Sequence, residues 1–416
     1  MPQKQTESAP PAIATGKRPW LSQDVLLISL SACFADLGYQ SVLAVFPLFL
    51  VGSLKQPVWV FAGAMAVSFG PGALFGLLGG KIADRAGAKK TALGGNLLIP
   101  LLSLSGLAGS AAAAIALFSG GWWARNFRSP PRRSMLVEAV HADDRAKAFG
   151  FLHALDIGGG FLAALGTMLL LKSGINIRNI FLLTIIPLLM SSVWLMFSRM
   201  GRRPAQQAPA VSRGTPAMPV KHRSLYRRLL AATALYGFSS FSFGFPILTV
   251  DQSLHSRPLA ILSYVVFFGV SAVTGLVVGR VSRKKSVTAL ALGGYLTGGL
   301  GCAGMAVVWA TGSSGLLYYP VAALMGLALG VIETMEPAII SRIIPQGQTG
   351  GGMGALTAMR SVGLFAANLI MGLIYSLGAS WTWAYAYAAI LAISAAGISL
   401  TVRSAETAAA PAPVRP

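Results

Sequence analysis

Charge is scarce in this chain. Only 11% of its 416 residues are Asp, Glu, Lys or Arg, where a soluble protein carries roughly 25%. So few charges exclude the two or three soluble domains that the length would otherwise allow. Cysteine is nearly absent as well. Cys33 and Cys302 both fall in apolar runs, which excludes a disulfide framework and a cysteine metal site. The histidines, His141, His153, His222 and His255, show no zinc spacing. His153 and Asp156 stand three apart, but two ligands are too few for a metal centre. No nucleophile–base set is visible, so no enzyme and no cofactor are expected. Gly299-Leu300-Gly301-Cys302-Ala303-Gly304 fits a dinucleotide fingerprint, yet it lies in an apolar run with no strand before it. It reads as helix packing.

What the chain has instead is apolar length. Apolar residues make up 54%, room for about twelve spans of some 20 residues. The runs are 24–52, 58–80, 91–109, 112–138, 146–171, 179–198, 229–251, 259–279, 287–310, 315–338, 351–376 and 380–401. The expected fold is an all-α integral membrane protein. Residues 1–23 are polar and rich in Pro, Ala and Lys at their start, with no cleavable signal, and read as a tail. Residues 200–226 hold Pro204, Pro209, Pro216 and Pro219 among many basic residues and read as a linker. It separates a bundle at 24–199 from a second at 227–402, and a short tail, 403–416, follows.

The 33 Lys and Arg outnumber the 12 Asp and Glu. On a soluble protein this would suggest nucleic acid; here the basic residues sit between apolar runs and set orientation instead. With both termini and the linker in the cytoplasm, all but Lys55, Lys172, Arg178 and Arg257 fall on the cytoplasmic side or in the cytoplasmic halves of spans 4 and 11. A multi-pass protein of the cell (inner) membrane follows, in contact with lipid and not with nucleic acid.

The two halves repeat. Gly76-Leu77-Leu78-Gly79-Gly80-Lys81-Ile82-Ala83-Asp84 aligns with Gly275-Leu276-Val277-Val278-Gly279-Arg280-Val281-Ser282-Arg283. Asp84 and Arg85 place opposite charges at the membrane edge between spans 2 and 3. This loop, with Gly80, Asp84, Arg85, Gly87, Lys89 and Lys90, resembles the Gly-x-x-x-Asp-Arg-x-Gly-Arg-Lys signature of the major facilitator superfamily (MFS). Ala88 stands where a basic residue is common, and Arg283 stands where the second copy would carry the acid. Arg128-Ser129-Pro130-Pro131-Arg132 and Arg145-Ala146-Lys147-Ala148-Phe149-Gly150-Phe151 are similar to a poorly characterised prokaryotic branch. The resemblance implies a twelve-helix MFS fold in two six-helix bundles, with binding near the midplane between them. It also implies gating by the 2–3 loop and transport of a small molecule. No Walker-type Gly-Lys-Ser/Thr occurs, so ATP is not the expected driving force. The helix 5 signal of antiporters is only loosely echoed by Gly158-Gly159-Gly160 and Gly166, and its proline is absent.

Ionisable residues at membrane depth are costly, about 2.5–3.5 kcal/mol each on insertion scales, and so mark functional candidates. They are Asp36 in span 1, Arg125, Arg128 and Arg132 on one face of span 4, Asp156 in span 5, Glu333 and Glu336 in span 10, and Arg360 in span 11. The repeat offset that sets Gly150 over Gly354 also sets Asp156 over Arg360 and Arg132 over Glu336. Two pairs are expected, Arg132–Asp156 and Glu336–Arg360, with signs exchanged between the halves. They serve either as bundle salt bridges or as cavity groups that re-pair. The arginine face of span 4 is either an interfacial set or an anion site. Asp36 is a proton carrier, a cation ligand, or a tie to Arg125. The expected function is secondary active transport of a small organic solute by a monomer, driven by a proton gradient. Organic-anion uptake through the arginine face and a non-transporting sensor or assembly protein are the alternatives.

Overall fold

The computed structural model describes residues 20–141, 144–201, 220–278, 286–343, 349–378 and 380–407. The tails before 20 and after 407, most of the linker, and Gly279, Arg280 and Arg283 of the repeat lie outside them. The described residues form twelve helical rods and no strand. In the first half, α1 is Gln23–Pro47 with a π segment Leu48–Ser53, and α2 is Val58–Phe69 plus Gly72–Ala86. Next, α3 is Ala88–Leu98, Leu101–Leu104 and Ser105–Leu107, and α4 is Ala111–Ala139. Then α5 is Arg145–Lys172, and α6 is Ile177–Leu183 plus Ile185–Phe197. In the second, α7 is Val220–Ser239 plus Gly244–Leu254, and α8 is Arg257–Val278. Next, α9 is Ser286–Thr288, Ala289–Leu296 and Thr297–Thr311, and α10 is Tyr318–Ile343. Finally, α11 is Thr349–Gly378 and α12 is Trp381–Thr407.

Ten of these rods are long and apolar enough to cross a membrane. The other two have visible reasons to differ: α3 breaks at Pro100, and α4 carries Arg125, Arg128, Arg132 and Arg133. Serine hydroxyls start two rods. Ser22 accepts from the Val25 N–H at 3.4 Å and Ser110 from the Ala113 N–H at 3.3 Å, satisfying donors that have no partner within the helix. Gly87 joins α2 to α3 in a single residue, with φ 92°, a conformation that suits glycine.

Three expected spans differ from the observed rods. The run 58–80 continues to Ala86 after a break at Gly70-Pro71, where proline withholds a donor. The run 91–109 breaks before Leu101 for the same reason. The run 229–251 was expected to be continuous; it unwinds between Ser239 and Gly244.

Within the first half, α1 packs on α5 and α6, and α4 on α2 and α3. Within the second, α7 packs on α11 and α12, α9 on α10 and α12, and α8 on α10. The halves meet along α5–α8 and α2–α11, with α1 touching the second piece of α7. Small residues permit the close approaches. A Cβ on Gly79 of α2 would run into the Phe127 carbonyl of α4. The second half makes the equivalent contact from the other partner: Gly326 and Gly330 of α10 lie against the Phe267 and Ser271 carbonyls of α8. Gly299 faces α12, and Gly301 and Gly304 face α10, so the glycine pattern of α9 is packing, as expected.

The apolar core is shared at one end and divided at the other. At the joined end one cluster includes Phe46, Phe49, Phe61 and Phe118 of the first half with Phe245, Trp381 and Tyr385 of the second. Phe46 stacks on Phe118 at 4.0 Å, and Phe61 meets Phe245 edge-on across the halves at 5.2 Å. Towards the opposite end the cores separate. Val25, Ile28, Ala83, Met135 and Leu195 form one, and Leu229, Tyr295, Val331 and Ile339 another. A cleft between the halves therefore opens towards the α2–α3 turn. Burying a Phe side chain contributes about 1.5–3 kcal/mol, so Phe61 and Phe245 alone hold the joined end by several.

Gly79 gives a direct check on this packing. Gly79→Ala is expected to lower stability by about 1–3 kcal/mol through overpacking. Gly63→Ala, where a Cβ meets nothing within 4 Å, is the matched control. Equal melting temperatures for the two variants in detergent would show that α2 and α4 are not in backbone contact.

Candidate functional site

Between the halves, at the depth where the cores divide, lies a cavity of about 430 Å³. Its walls are rings: Phe69 and Trp122 from the first half, Phe241, Phe243, Tyr264 and Phe267 from the second. Among the described residues, the charged side chains on its lining are Glu333 and Arg360. Ring contacts continue behind the wall. Phe69 meets Trp122 at 4.8 Å, and Phe243 meets Phe267 at 4.2 Å. Tyr264 donates to Gln40 Oε1 of α1 at 2.9 Å, a bond between the halves.

The break in α7 forms one side of the cavity, through Ser239, Ser240, Phe241, Ser242, Phe243 and Gly244. Non-helical backbone is tolerated at membrane depth only where protein or a water-lined cavity satisfies it. Here Asn368 Oδ1 of α11 accepts from the Ser242 N–H at 3.1 Å, and Tyr387 of α12 donates to the Phe238 carbonyl at 2.9 Å. Ser239 and Ser240 hydroxyls return to the Tyr236 carbonyl at 2.7 and 3.0 Å. Gly237 and Gly363 let α7 and α11 touch beside the break. Sequence reasoning missed this element and the ring wall. The available signal for the break was Ser239-Ser240-Phe241-Ser242 ahead of Gly244. The rings come from four rods with no shared spacing.

The charged candidates form two clusters. In the second half, Arg360 pairs with Glu333 at 2.6 Å and Glu336 at 3.5 Å. The expected Glu336–Arg360 pair is present, but Glu333 is the closer partner. Glu336 is fully buried and also takes hydrogen bonds from Thr233, at 3.3 Å, and Tyr295. One guanidinium thus bridges a cavity-facing acid and a sealed one.

In the first half, Arg132 and Asp156 pair at 3.3 Å, as expected. Asp156 also lies in hydrogen-bond contact with Asp36 of α1. Arg125 does not bond to Asp36. Its guanidinium donates to the Tyr39 hydroxyl at 3.1 Å and lies 5.0 Å from the ring centres of both Tyr39 and Trp122. The tie between α1 and α4 is therefore made, one turn away from the acid. Arg128 is 1% exposed and donates to Asn96 Oδ1 at 2.6 Å. Asn96 in turn donates to Ser191 and Ser192 of α6. None of the three arginines lines the cavity, and each is held by a protein partner through one of its nitrogens.

The loop candidates lie at the open end. A Cβ on Gly80 would lie 3.9 Å from Pro130 of α4. Asp84, Arg85 and Lys90 are exposed, and Asp84 has no hydrogen bond or ion pair among the described residues. Lys89 caps α6 instead: its ammonium donates to the Met196 carbonyl at 2.7 Å and to that of Ser198. Gly87 supplies the turn.

A family model described as Major Facilitator Superfamily matches residues 28–367 and 229–416. No curated protein matches the chain. Among solved structures, a POT family transporter in complex with a thioalcohol conjugated peptide superposes with a TM-score of 0.76 at 14% identity. The match covers 91% of this chain and 95% of that one. A D-xylose-proton symporter superposes with a TM-score of 0.75 at 13% identity, covering 92% and 97%. At these identities the likeness is one of fold.

The uneven sharing of Arg360 sets an order of effects. Removing one member of a buried pair costs about 3–5 kcal/mol. Arg360→Gln leaves two acids without a cation and is expected to lose that much. Glu336→Gln, which keeps the Glu333 pair and its own hydrogen bonds, is expected to lose less than half of it. Thermal melts of the two variants check the order, and equal losses would show that Arg360 does not bridge.

Proposed function

The chain belongs to the Major Facilitator Superfamily, and from that premise we propose that it is a secondary active transporter that moves a small organic solute by alternating access. The observation that carries the reading is the cavity between two bundles that are joined at one end and parted at the other. A rocking motion about such a cavity exposes it to each side in turn. Solved neighbours include a proton symporter and a transporter in complex with a conjugated peptide, which fits a proton gradient as the driving force. Asp36 is the proposed coupling group, and Asp156, Glu333, Glu336 and Arg360 re-pair or shift as the halves move.

The cavity wall suggests how the solute is held. An apolar or aromatic body stacks among Trp122, Tyr264 and Phe267, and a polar group meets Glu333 and Arg360. The arginine face of α4 is a weaker anion site, because Arg125, Arg128 and Arg132 already have protein partners. The basic, parted end faces the cytoplasm in this proposal, consistent with the positions of Lys55, Lys172, Arg178 and Arg257 at or beside the joined end. The conformation is then inward-open, and the exposed Asp84 is a gate acid awaiting its partner.

Three measurements test this. First, a solute found by thermal-shift screening should be accumulated in proteoliposomes under an imposed pH gradient. Trp122→Ala and Phe267→Ala should each cut that flux about fivefold to tenfold, the worth of an aromatic contact. Undiminished flux in both would remove the cavity from the mechanism. Second, Asp84→Asn should abolish most flux without lowering the melting temperature, and normal flux would discard the gate. Third, with Cys33 and Cys302 replaced, a cysteine at Ser253 should react with an impermeant reagent in intact cells and one at Ser212 should not. The reverse pattern would invert the orientation.

A further inference from the structure

Helix α5 comes close to α1 at Gly159, where a Cβ would lie 3.2 Å from the Asp36 Cβ. One turn earlier on α5, Asp156 brings its carboxyl into hydrogen-bond contact with the Asp36 carboxyl. Asp36 is only 4% exposed, and no protein N–H or O–H donates to it among the described residues. Asp156 Oδ1 is buried and likewise has no donor, while its Oδ2 accepts from Arg132. Two ionised carboxylates are acceptors only and cannot bond to each other. A hydrogen between them lets the two carboxyls bond to each other.

We propose that Asp36 and Asp156 form a single-proton site, with one proton shared between the two carboxyls and Asp156 as its door to the cleft. The inference deepens the transport reading by naming the coupling site, and rests on it only in calling that proton a coupling ion. The exposures assign the door: Asp156 is partly exposed, its side chain 25% accessible, while Asp36 is buried. In the release step an O–H bond of the pair breaks, its electrons stay on the carboxylate, and the proton passes to water in the cleft.

The surroundings fit one proton per pair. On α4, Arg132 answers the remaining negative charge, Arg125 lies on Tyr39 and Trp122, Arg128 is held by Asn96, and Arg133 stands beside Arg132. On α1 the neighbour is the Cys33 thiol, and from α8 it is the Tyr264 hydroxyl, which donates to Gln40. The ionisable groups of α6 and of the second piece of α7, Arg178 and Asp251, lie towards the joined end. Arg132 Nε and Nη1 and Arg125 Nε are buried without acceptors. They are the groups that a second carboxylate would draw when the proton leaves. Release therefore re-aims Arg132 and changes how α4, α1 and α5 are tied.

Infrared spectroscopy of the purified full chain at neutral pH, in H₂O and D₂O, tests the site without any substrate. The wild type should show a carbonyl stretch of a protonated carboxyl that shifts on deuteration. That band should vanish completely in Asp36→Asn and equally in Asp156→Asn, because either amide can donate to the remaining carboxylate. Glu336→Gln separates any band of that acid, and Asp36→Glu should move the band without removing it. A band that survives Asp156→Asn would mean that Asp36 holds a proton by itself, and the shared site would be overturned. A wild type with no band beyond that of Glu336 would overturn it as well. If a variant fails to fold, the other and Asp36→Glu still decide. Flux is read separately: a band with no solute movement speaks against transport, and movement with no band speaks against the pair.

Discussion

A charge carried into a bilayer has to bring its answer with it, and most of this molecule's inner arrangement follows from that. The eight ionisable candidates at membrane depth are gathered into two clusters, one per half, rather than scattered. In the second half a single guanidinium answers two acids. In the first, arginines exceed acids, and two of them are settled on neutral groups: rings and a tyrosine hydroxyl for Arg125, an amide for Arg128. Low dielectric makes these contacts strong and makes any vacancy costly. The rods α1, α4 and α5, and α7, α10 and α11, are bound to one another through these groups. Each half is thereby held together as a unit, while among the described residues the seam between the halves carries few polar ties.

That division gives the seam its character. Within each half, glycines bring backbones together and polar side chains knit neighbouring rods, as in the Arg128–Asn96–Ser191 chain across α4, α3 and α6. Between the halves the contacts at the joined end are largely rings and small residues: Phe61 on Phe245, Gly372 against Ala62, Gly160 against Phe268. Such surfaces separate without leaving buried polar groups orphaned. The broken α7 sits where the two regimes meet. Its free backbone is answered from α11 and α12, so it belongs to its own bundle while facing the other across the cavity.

The fold was legible because the signals for it are local. Apolar length, basic turns and the Gly80–Lys90 loop each sit in consecutive residues, and the repeat doubles them. The Arg132–Asp156 pair was legible through the repeat offset, and so was the partnership of Glu336 with Arg360. The rest needed three dimensions. Glu333 is one turn before Glu336 and looks equivalent in sequence; only the rotation of α10 puts one in the cavity and seals the other against Tyr295 and Thr233. The Asp36 contact depends on a glycine of α5, Gly159, that is one of three in a row. The break in α7 has no proline to announce it inside Ser239–Phe243, and serine satisfies its own neighbourhood in helices as readily as it ends them.

The ring seal at the joined end also ties the balance of states to heat. Its cohesion comes from apolar surface withdrawn from water, a driving force that is almost wholly entropic near 25 °C and weakens on cooling. The ion pairs within each half do not share that dependence. Cold therefore loosens the seam before it loosens either bundle, and the proposed parting of the joined end becomes easier in the chill.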